Sequence, residues 1–420
     1  MDVELGHPGL VAKLVARIDR EGPLTFADFM EATLYDPEFG YYTTPGPRIG
    51  VDGDYYTSPE VHPLFAELIG RQLAQAAEAI APTGELTIVE MGAGKGLLAR
   101  HLLNSYRQDN PALLARLRYT LVERSAAMVA LQQRHLRSLL HDGLSITWVS
   151  DLSHVPADSL TGVILSNELV DALPVHRVVM RPLGLREIHV GWEEYPSPFP
   201  SPSRGEGGHS FCPSPLEGEG RVRGRFVELE APPSTPALQA YFDRLGIVLE
   251  DGQQAEVNLH ALDWMRQVGT ILRRGLVLTI DYGHTAADLY APIRKHGTLL
   301  CYYRHTVSDT PYLRIGWQDL TAHVDFTSLA LTGQEVGLEV TGFTNQLHFL
   351  MGLGIESAFA DLDSESPEFA EMRNLLRPEG MGTTFKILIQ HKGMPAPTLD
   401  GLRSKPYFTD ALLGHAAVAP

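Results

Sequence analysis

An α/β chain built on an open, doubly wound, largely parallel sheet of seven strands is the architecture the sequence predicts, with an N-terminal helical region and helical insertions. Three observations predict it. Short apolar runs alternate with helical stretches from Leu86 onward, one run ends in a glycine triplet that opens a helix, and later runs end on carboxylates. The 420 residues are 44% hydrophobic and 20% charged, close to an ordinary globular chain, which excludes a disordered or fibrous protein. At roughly 100–200 residues per domain the length allows two to four modules.

In chain order, residues 1–85 read as helices joined by aromatic, Gly/Pro-rich loops. Ser58 suits an N-cap and Pro59 the first helical position, after which Val61, Leu64, Phe65, Leu68, Ile69 and Leu73 recur at helical spacing. Strands are expected near Leu86–Glu90, Tyr119–Glu123, Ile146–Val149, Gly162–Ser166, Leu276–Ile280, Leu338–Phe343 and Phe385–Gln390. These divide the sheet-bearing core into two parts, 86–191 and 276–393, separated by a low-complexity insertion at 192–226 and a helical insertion at 227–275. The low-complexity stretch carries an internal duplication, SPSRGEG at Ser201–Gly207 and SPLEGEG at Ser214–Gly220. Too polar to repay ordering, it is expected as a mobile surface loop, with recognition of a partner through its prolines as the alternative. The tail from 394 to 420 is expected to be loosely held.

Charge and cysteine usage narrow the partners. Lys and Arg total 34 against 51 Asp and Glu, a net −17, which disfavours a nucleic-acid backbone as the main partner. The two cysteines, Cys212 and Cys301, make neither a disulfide framework nor a thiolate metal cluster, and point to a reducing, cytoplasmic location. No apolar run approaches the ~20 residues of a membrane span, and the N-terminus lacks the pattern of a secretory signal. Seventeen histidines occur without a His-Glu-x-x-His pattern, so no metal is expected.

The sharpest chemical signal is VEMGAGKG at Val89–Gly96, at the end of an apolar run and just before Leu97-Leu98-Ala99-Arg100. Glycines at 92, 94 and 96 permit a tight turn and close approach of a ligand to free N–H groups at the helix start, although such triplets also serve as plain turns. The spacing is Gly-x-Gly-x-Gly with Glu90 two positions ahead, unlike the Gly-x-Gly-x-x-Gly of dinucleotide enzymes, and Lys95 is followed by Gly96 rather than Ser or Thr, unlike a P-loop. This form resembles motif I of class I S-adenosylmethionine (SAM) methyltransferases, which makes Glu90, Gly92, Ala93, Gly94 and Gly96 the candidate cofactor loop.

Downstream, the second run ends at Glu123, 27 residues beyond Gly96, where a carboxylate can accept from both ribose hydroxyls or simply face solvent. After the third run, Asp151, followed by Leu152, is a candidate acceptor for an adenine amino group or the N-cap of a short helix. The fourth run ends in SNELVDALP, Ser166–Pro174: Asn167 is placed for the methionine end of SAM, and Glu168 and Asp171 flank the ligand-binding edge of the sheet.

With these segments in view, the chain resembles the MidA-type family of SAM-dependent methyltransferases. The similarity extends through FADFMEATLYDPEFGYYT (Phe26–Thr43), GDYYTSPE (Gly53–Glu60), IDYGH (Ile280–His284), QDLTAHVDF (Gln318–Phe326) and GTTFKILI (Gly382–Ile389), and omits only the duplicated insertion and the tail. Mitochondrial relatives in that family act as a complex I assembly factor and protein arginine methyltransferase. The resemblance implies a Rossmann-like methyltransferase sheet, SAM as cofactor, and methyl transfer to a protein arginine nitrogen, with a respiratory complex I subunit as a candidate partner and a homodimer as the commonest oligomer to test for.

Arginine chemistry gives the carboxylates a role. A guanidinium is always protonated, and a fork of hydrogen bonds from Glu168 and Asp171 would localise its charge and free one nitrogen. Their spacing puts both on one face if the segment is helical; otherwise Asp171 tethers the loop before Pro174. Tyr41, Tyr42, Tyr55 and Tyr56 read either as an aromatic lid or as a packed hairpin, and Asp281 either as a substrate-orienting group or as a group that only holds His284 and the turn. A small-molecule O- or N-methyltransferase and a non-catalytic SAM-binding assembly factor are the competing functions; an NAD-dependent oxidoreductase fits the glycine spacing less well.

Overall fold

The expected apolar runs all become strands of one sheet: β1 (Leu86–Met91), β2 (Leu117–Val122), β3 (Ser145–Val149), β4 (Leu160–Asn167), β5 (Leu272–His284), β6 (Glu339–Asn345) and β7 (Phe385–Lys392). The computed structural model describes residues 5–44, 50, 53–54, 57–194, 224–360, 362–378, 380–404 and 408–413. The strand order is β6-β7-β5-β4-β1-β2-β3. Strands β1 to β5 run parallel, β7 lies antiparallel to both its neighbours, and a two-residue strand, Val324–Asp325, pairs with the end of β5. The near-continuous hydrophobicity of β1, of β4 and of the middle of β5 follows from burial on both faces. The helices Pro63–Ile80 and Leu97–Asp109 cover one face, and Leu259–Ile271 and Phe326–Glu335 the other. Strand order reverses between β1 and β4, so the crevice beyond their C-terminal ends is the ligand position of this architecture.

Several expectations are corrected. The apolar stripe from Val61 to Leu73 is two helices, Ser58–Val61 and Pro63–Ile80. Pro63 excludes helical geometry from His62, which is extended at φ −159° and caps the second helix by accepting from the Leu64 N–H at 3.1 Å. Ser58 is the first helical residue rather than the cap, a place taken by Thr57.

The segment 227–275 is more than helical. Besides the helices Ala237–Leu245 and Leu259–Ile271 it supplies Gln254–Val257 and most of Gly224–Ala231 to a second, antiparallel sheet, and it already contains the start of β5. That sheet also takes Leu24–Thr25, His176–Arg181 and Gly184–Glu194, so the chain leaves the main sheet after Asn167 well before residue 191. Gly184–Glu194 and Gly224–Ala231 pair with each other across the low-complexity stretch, a partnership that local spacing does not reveal. Helices Pro8–Glu21 and Phe26–Tyr35 pack on this sheet through Leu10, Leu14, Phe26, Phe29 and Met30. Both edges of the expected 192–226 insertion are strand, Trp192 pairing with Phe226 and Glu194 with Gly224; the duplicated SPSRGEG and SPLEGEG lie outside the described residues.

The tail is held where it is described. Leu399 is buried, the Asp400 and Gly401 N–H groups donate to Gln75 and Gln72 of helix Pro63–Ile80 at 3.1 and 2.8 Å, and Leu412 of the helix Phe408–Leu413 is buried against Thr327. A three-stranded sheet, Leu300–Tyr303, Thr306–Ser308 and Asp319–Thr321, completes the described strands.

Candidate active site

A cavity of about 670 Å³ opens at the crevice between β1 and β4, within the size range of small-ligand sites. Its floor is the glycine loop. Gly92 sits at φ +68°, where a Cβ would meet Leu169 at 2.8 Å, and Gly96, at φ +78°, is the N-cap of Leu97–Asp109. The loop is tied from the next βα unit: Gln132 Nε2 donates to the Gly94 carbonyl at 2.8 Å and His135 bonds the Lys95 carbonyl at 2.8 Å. All of Glu90, Gly92, Ala93, Gly94, Glu123, Asp151, Leu152, Asn167 and Glu168 line this cavity. Gly96 does not line it and acts as the turn into the helix.

The carboxylates of the lining differ in environment. Glu123 accepts from the Ser125 N–H at 2.8 Å through Oε1 and from Gln132 Nε2 at 3.1 Å through Oε2, and burial raises its carboxyl above the ordinary range. It is therefore not the bare, exposed strand-end Glu of the alternative. Glu90 is buried, accepts from the Tyr119 hydroxyl at 2.7 Å, and burial pushes it up to about 7. Asp151 is exposed and caps no helix: it accepts from the Ser153 N–H at 2.7 Å and from Ser150 Oγ at 3.0 Å in a turn, which holds its carboxyl low. Asn167 donates to Glu168 at 2.9 Å, while its buried Oδ1 has no protein partner.

The SNELVDALP segment is not helical after β4. Glu168 adopts φ +52° and accepts from the Ser58 N–H at 3.0 Å; burial, with Asp171 and Glu60 nearby, pushes its carboxyl up to about 8. Asp171 therefore does not share a helical face with Glu168 and does not line the cavity. It is buried behind the wall, receives the Tyr282 hydroxyl, and is pushed up to about 6 by burial. Its other oxygen, Oδ1, has no partner.

Asp281 of IDYGH explains the turn. Its Oδ2 accepts from the Val170 and Asp171 N–H groups at 2.9 and 3.3 Å, so it anchors SNELVDALP and not His284, which contacts Arg294 and the His323 ring. The tyrosines divide. Tyr41 is core, donating to Asp54 at 2.7 Å; Tyr42 lines the cavity and donates to Asp319 at 2.8 Å; Tyr55 and Tyr56 lie outside the described residues. Thr57, Pro59 and Glu60 also line the cavity, Glu60 pairing with Lys95 of the glycine loop at 2.8 Å. Sequence reasoning did not find Gln132, Asp319 or Glu60 as site groups. Gln132 carries no motif, whereas Asp319 and Glu60 stand inside the segments QDLTAHVDF and GDYYTSPE, whose family similarity was the available signal.

An adenosine-bearing cation with a ribose and an amino-acid end fits these groups: a glycine cradle without side chains, a paired carboxylate at Glu123, and an unsatisfied amide oxygen at Asn167. Comparison with known proteins agrees. Residues 68–344 match the family described as "Putative S-adenosyl-L-methionine-dependent methyltransferase". The Drosophila melanogaster "Protein arginine methyltransferase NDUFAF7 homolog, mitochondrial" is 27% identical, over 94% of this chain and 88% of its own length. The Homo sapiens "Protein arginine methyltransferase NDUFAF7, mitochondrial" is 26% identical, over 98% of this chain and 90% of its own length. Among solved structures, a COG1565 superfamily protein from Burkholderia thailandensis bound to S-adenosyl-homocysteine superposes with a TM-score of 0.78, at 30% identity and covering 94% of this chain and 95% of that one. The expectation of a cytoplasmic protein is overturned, because these relatives are named as mitochondrial; sparse cysteine reports a reducing compartment without saying which. On the glycine loop, the strand order and these matches, the chain belongs to the family of SAM-dependent methyltransferases.

Proposed function

We propose that the protein transfers a methyl group from SAM to a side-chain nitrogen of arginine in a protein, with a respiratory complex I subunit as the candidate acceptor. The observation that carries this reading is Glu168: a carboxylate in the wall of the cofactor cavity, at the end of β4, with no Lys, Arg or His partner among the described residues. The names of the relatives in fly and human support the acceptor class.

SAM supplies an electrophilic methyl on its sulfonium. The glycine loop and Glu123 would hold the adenosine end, Leu152 and Asp151 would border the base, and Asn167 Oδ1 would accept from the amino group of the methionine end. Glu168 would bind the guanidinium and turn one nitrogen toward the methyl carbon. On transfer the attacking nitrogen would give up one proton, which Glu168 would receive, while S-adenosylhomocysteine would leave. Asp171, held by Tyr282 and by the turn on Asp281, acts behind Glu168 rather than beside it as a second blade of the clamp.

The test is transfer from isotopically labelled SAM to protein in a mitochondrial extract, followed by acid hydrolysis. Label in methylarginine is the expected result; label in small metabolites alone, or in other amino acids, refutes it. Glu168→Gln should abolish transfer while SAM affinity stays within threefold.

A further inference from the structure

Behind the cavity wall lies a cluster of buried carboxyl groups that the cofactor does not explain. Asp171, Asp281 and Asp319 are each at most 3% exposed, and Glu168 is half-buried beside them. Among the described residues none of the four forms an ion pair with Lys, Arg or His; their partners are N–H groups, an amide and tyrosines. Buried carboxylates are ordinarily paired, and an unpaired set is costly unless protons or a bound cation neutralise it.

Two of the four carry unused acceptors. Asp171 Oδ1 is fully enclosed without a hydrogen-bond partner. Asp319 takes both of its bonds, from the Tyr42 hydroxyl at 2.8 Å and the Leu320 N–H at 2.9 Å, on Oδ1, leaving Oδ2 for a further donor. The surroundings are aromatic. Tyr302 is the direct cross-strand partner of Asp319 and so shares its face of the three-stranded sheet, and it is only partly buried. Tyr42 and Tyr35 stack at 5.5 Å and line the cofactor cavity on the other side. The Ala322 N–H donates to the Asp171 carbonyl at 3.0 Å, which fixes the strand bearing Asp319 against SNELVDALP. Asp319 thus stands between a partly buried tyrosine and the wall of the methyl-donor cavity.

We propose that Asp319, flanked by Tyr42 and Tyr302, determines substrate specificity by receiving the outer nitrogens of the acceptor guanidinium, with Asp171 adding negative potential from behind and Glu168 holding the nitrogen nearest the methyl donor. This rests on the arginine reading above. A guanidinium offers five N–H donors in a fixed fork and can engage two carboxylates at once, whereas an ammonium is a point charge and a urea lacks the charge. Tyrosine faces add cation–π attraction. Without substrate, burial, with Asp171 nearby, pushes the Asp319 carboxyl up to about 8, so at neutral pH it holds a proton that an incoming cation displaces.

The experiment is calorimetric binding of acetyl-Gly-Arg-Gly-amide to the full chain saturated with S-adenosylhomocysteine, against the citrulline and lysine counterparts. Wild type should bind the arginine peptide at least tenfold more tightly than either counterpart, with proton release near neutral pH seen as a dependence of the heat on buffer ionisation. Asp319→Asn should weaken the arginine peptide at least tenfold and raise its KM in methyl transfer more than it lowers kcat, with S-adenosylhomocysteine affinity within twofold. Equal binding of the citrulline peptide, no proton release, or an arginine affinity unchanged in Asp319→Asn overturns the proposal. If that variant fails to fold, the proton release and the citrulline comparison decide on wild type alone. Methylarginine formation with no Asp319 dependence sinks the pocket but spares the arginine reading; an Asp319-dependent arginine site in a protein that methylates no arginine does the reverse.

Discussion

Removing the Glu123 side chain tests the cofactor site at one point. Each of its carboxylate oxygens already takes one protein hydrogen bond, at 2.8 and 3.1 Å, and keeps a lone pair for the cavity. Two ribose hydroxyls would occupy those positions. Hydrogen bonds to a charged group are worth about 1.5–3 kcal/mol each, so losing both costs at least about 3 kcal/mol, or roughly 100-fold in affinity. Glu123→Ala leaves Gln132 anchored on the Gly94 carbonyl and on Trp148, so the glycine loop keeps its tie and the loss isolates the carboxylate. Glu123→Gln retains one acceptor oxygen and should lose only about tenfold. The assay is calorimetric titration with S-adenosylhomocysteine, which binds without turnover, after the melting temperature without ligand has shown each variant folded. A folded Glu123→Ala protein within threefold of wild type would refute the assignment.

Two further outcomes concern pH. Glu168 must be ionised to hold a guanidinium and take up its proton, so kcat/KM for methyl transfer should rise at least tenfold per unit below about pH 8, more steeply where Asp319 must ionise too, and level off above it; a flat profile between pH 6 and 9 argues against Glu168 in that role. Glu90 acts on stability: its carboxyl titrates at about 7 when folded against an ordinary 4.5, so the unfolded chain gives up the proton first and stability drains away as pH rises from 4.5 to 7. Above that window the deficit is about 3 kcal/mol. Glu90→Gln should therefore gain about that much on wild type between pH 4.5 and 9 in denaturant titrations, and an equal difference at both pH values would discount the burial of this charge.

What was legible in the sequence were features set by local spacing. The inner strands β1 and β4 and the middle of β5 stand out as apolar runs because both faces are covered, and the runs at the edges carry enough apolar residues between turn signals to be read as strands too. The glycine loop, Glu123 and Glu168 follow strand ends, where an open α/β sheet binds its ligands. Features made by distant pairing were not legible. Leu24–Thr25 is a strand only because it lies beside Val190 and His189, and the break at His62 was hidden by an apolar stripe that ran across Pro63. Asp171 shows the same limit at the site: its spacing from Glu168 fitted a helix, but Asp281, over a hundred residues away, pins the two N–H groups that shape the turn instead.

The order of the main sheet also bears on synthesis. Strand β7 is the last to be made, yet it sits between β5 and β6, antiparallel to both. A nascent chain leaving the ribosome can assemble β1 to β5, with the glycine loop and Glu168, while β6 has no lateral partner and β5 presents a bare edge. Only when Phe385–Lys392 emerges does that edge close. Until then the chain exposes an apolar strand to its neighbours, the kind of surface on which chaperones act. A polypeptide stopped short of residue 385 would keep the methyl-donor crevice on paper and lose the strand that joins the two halves of its sheet.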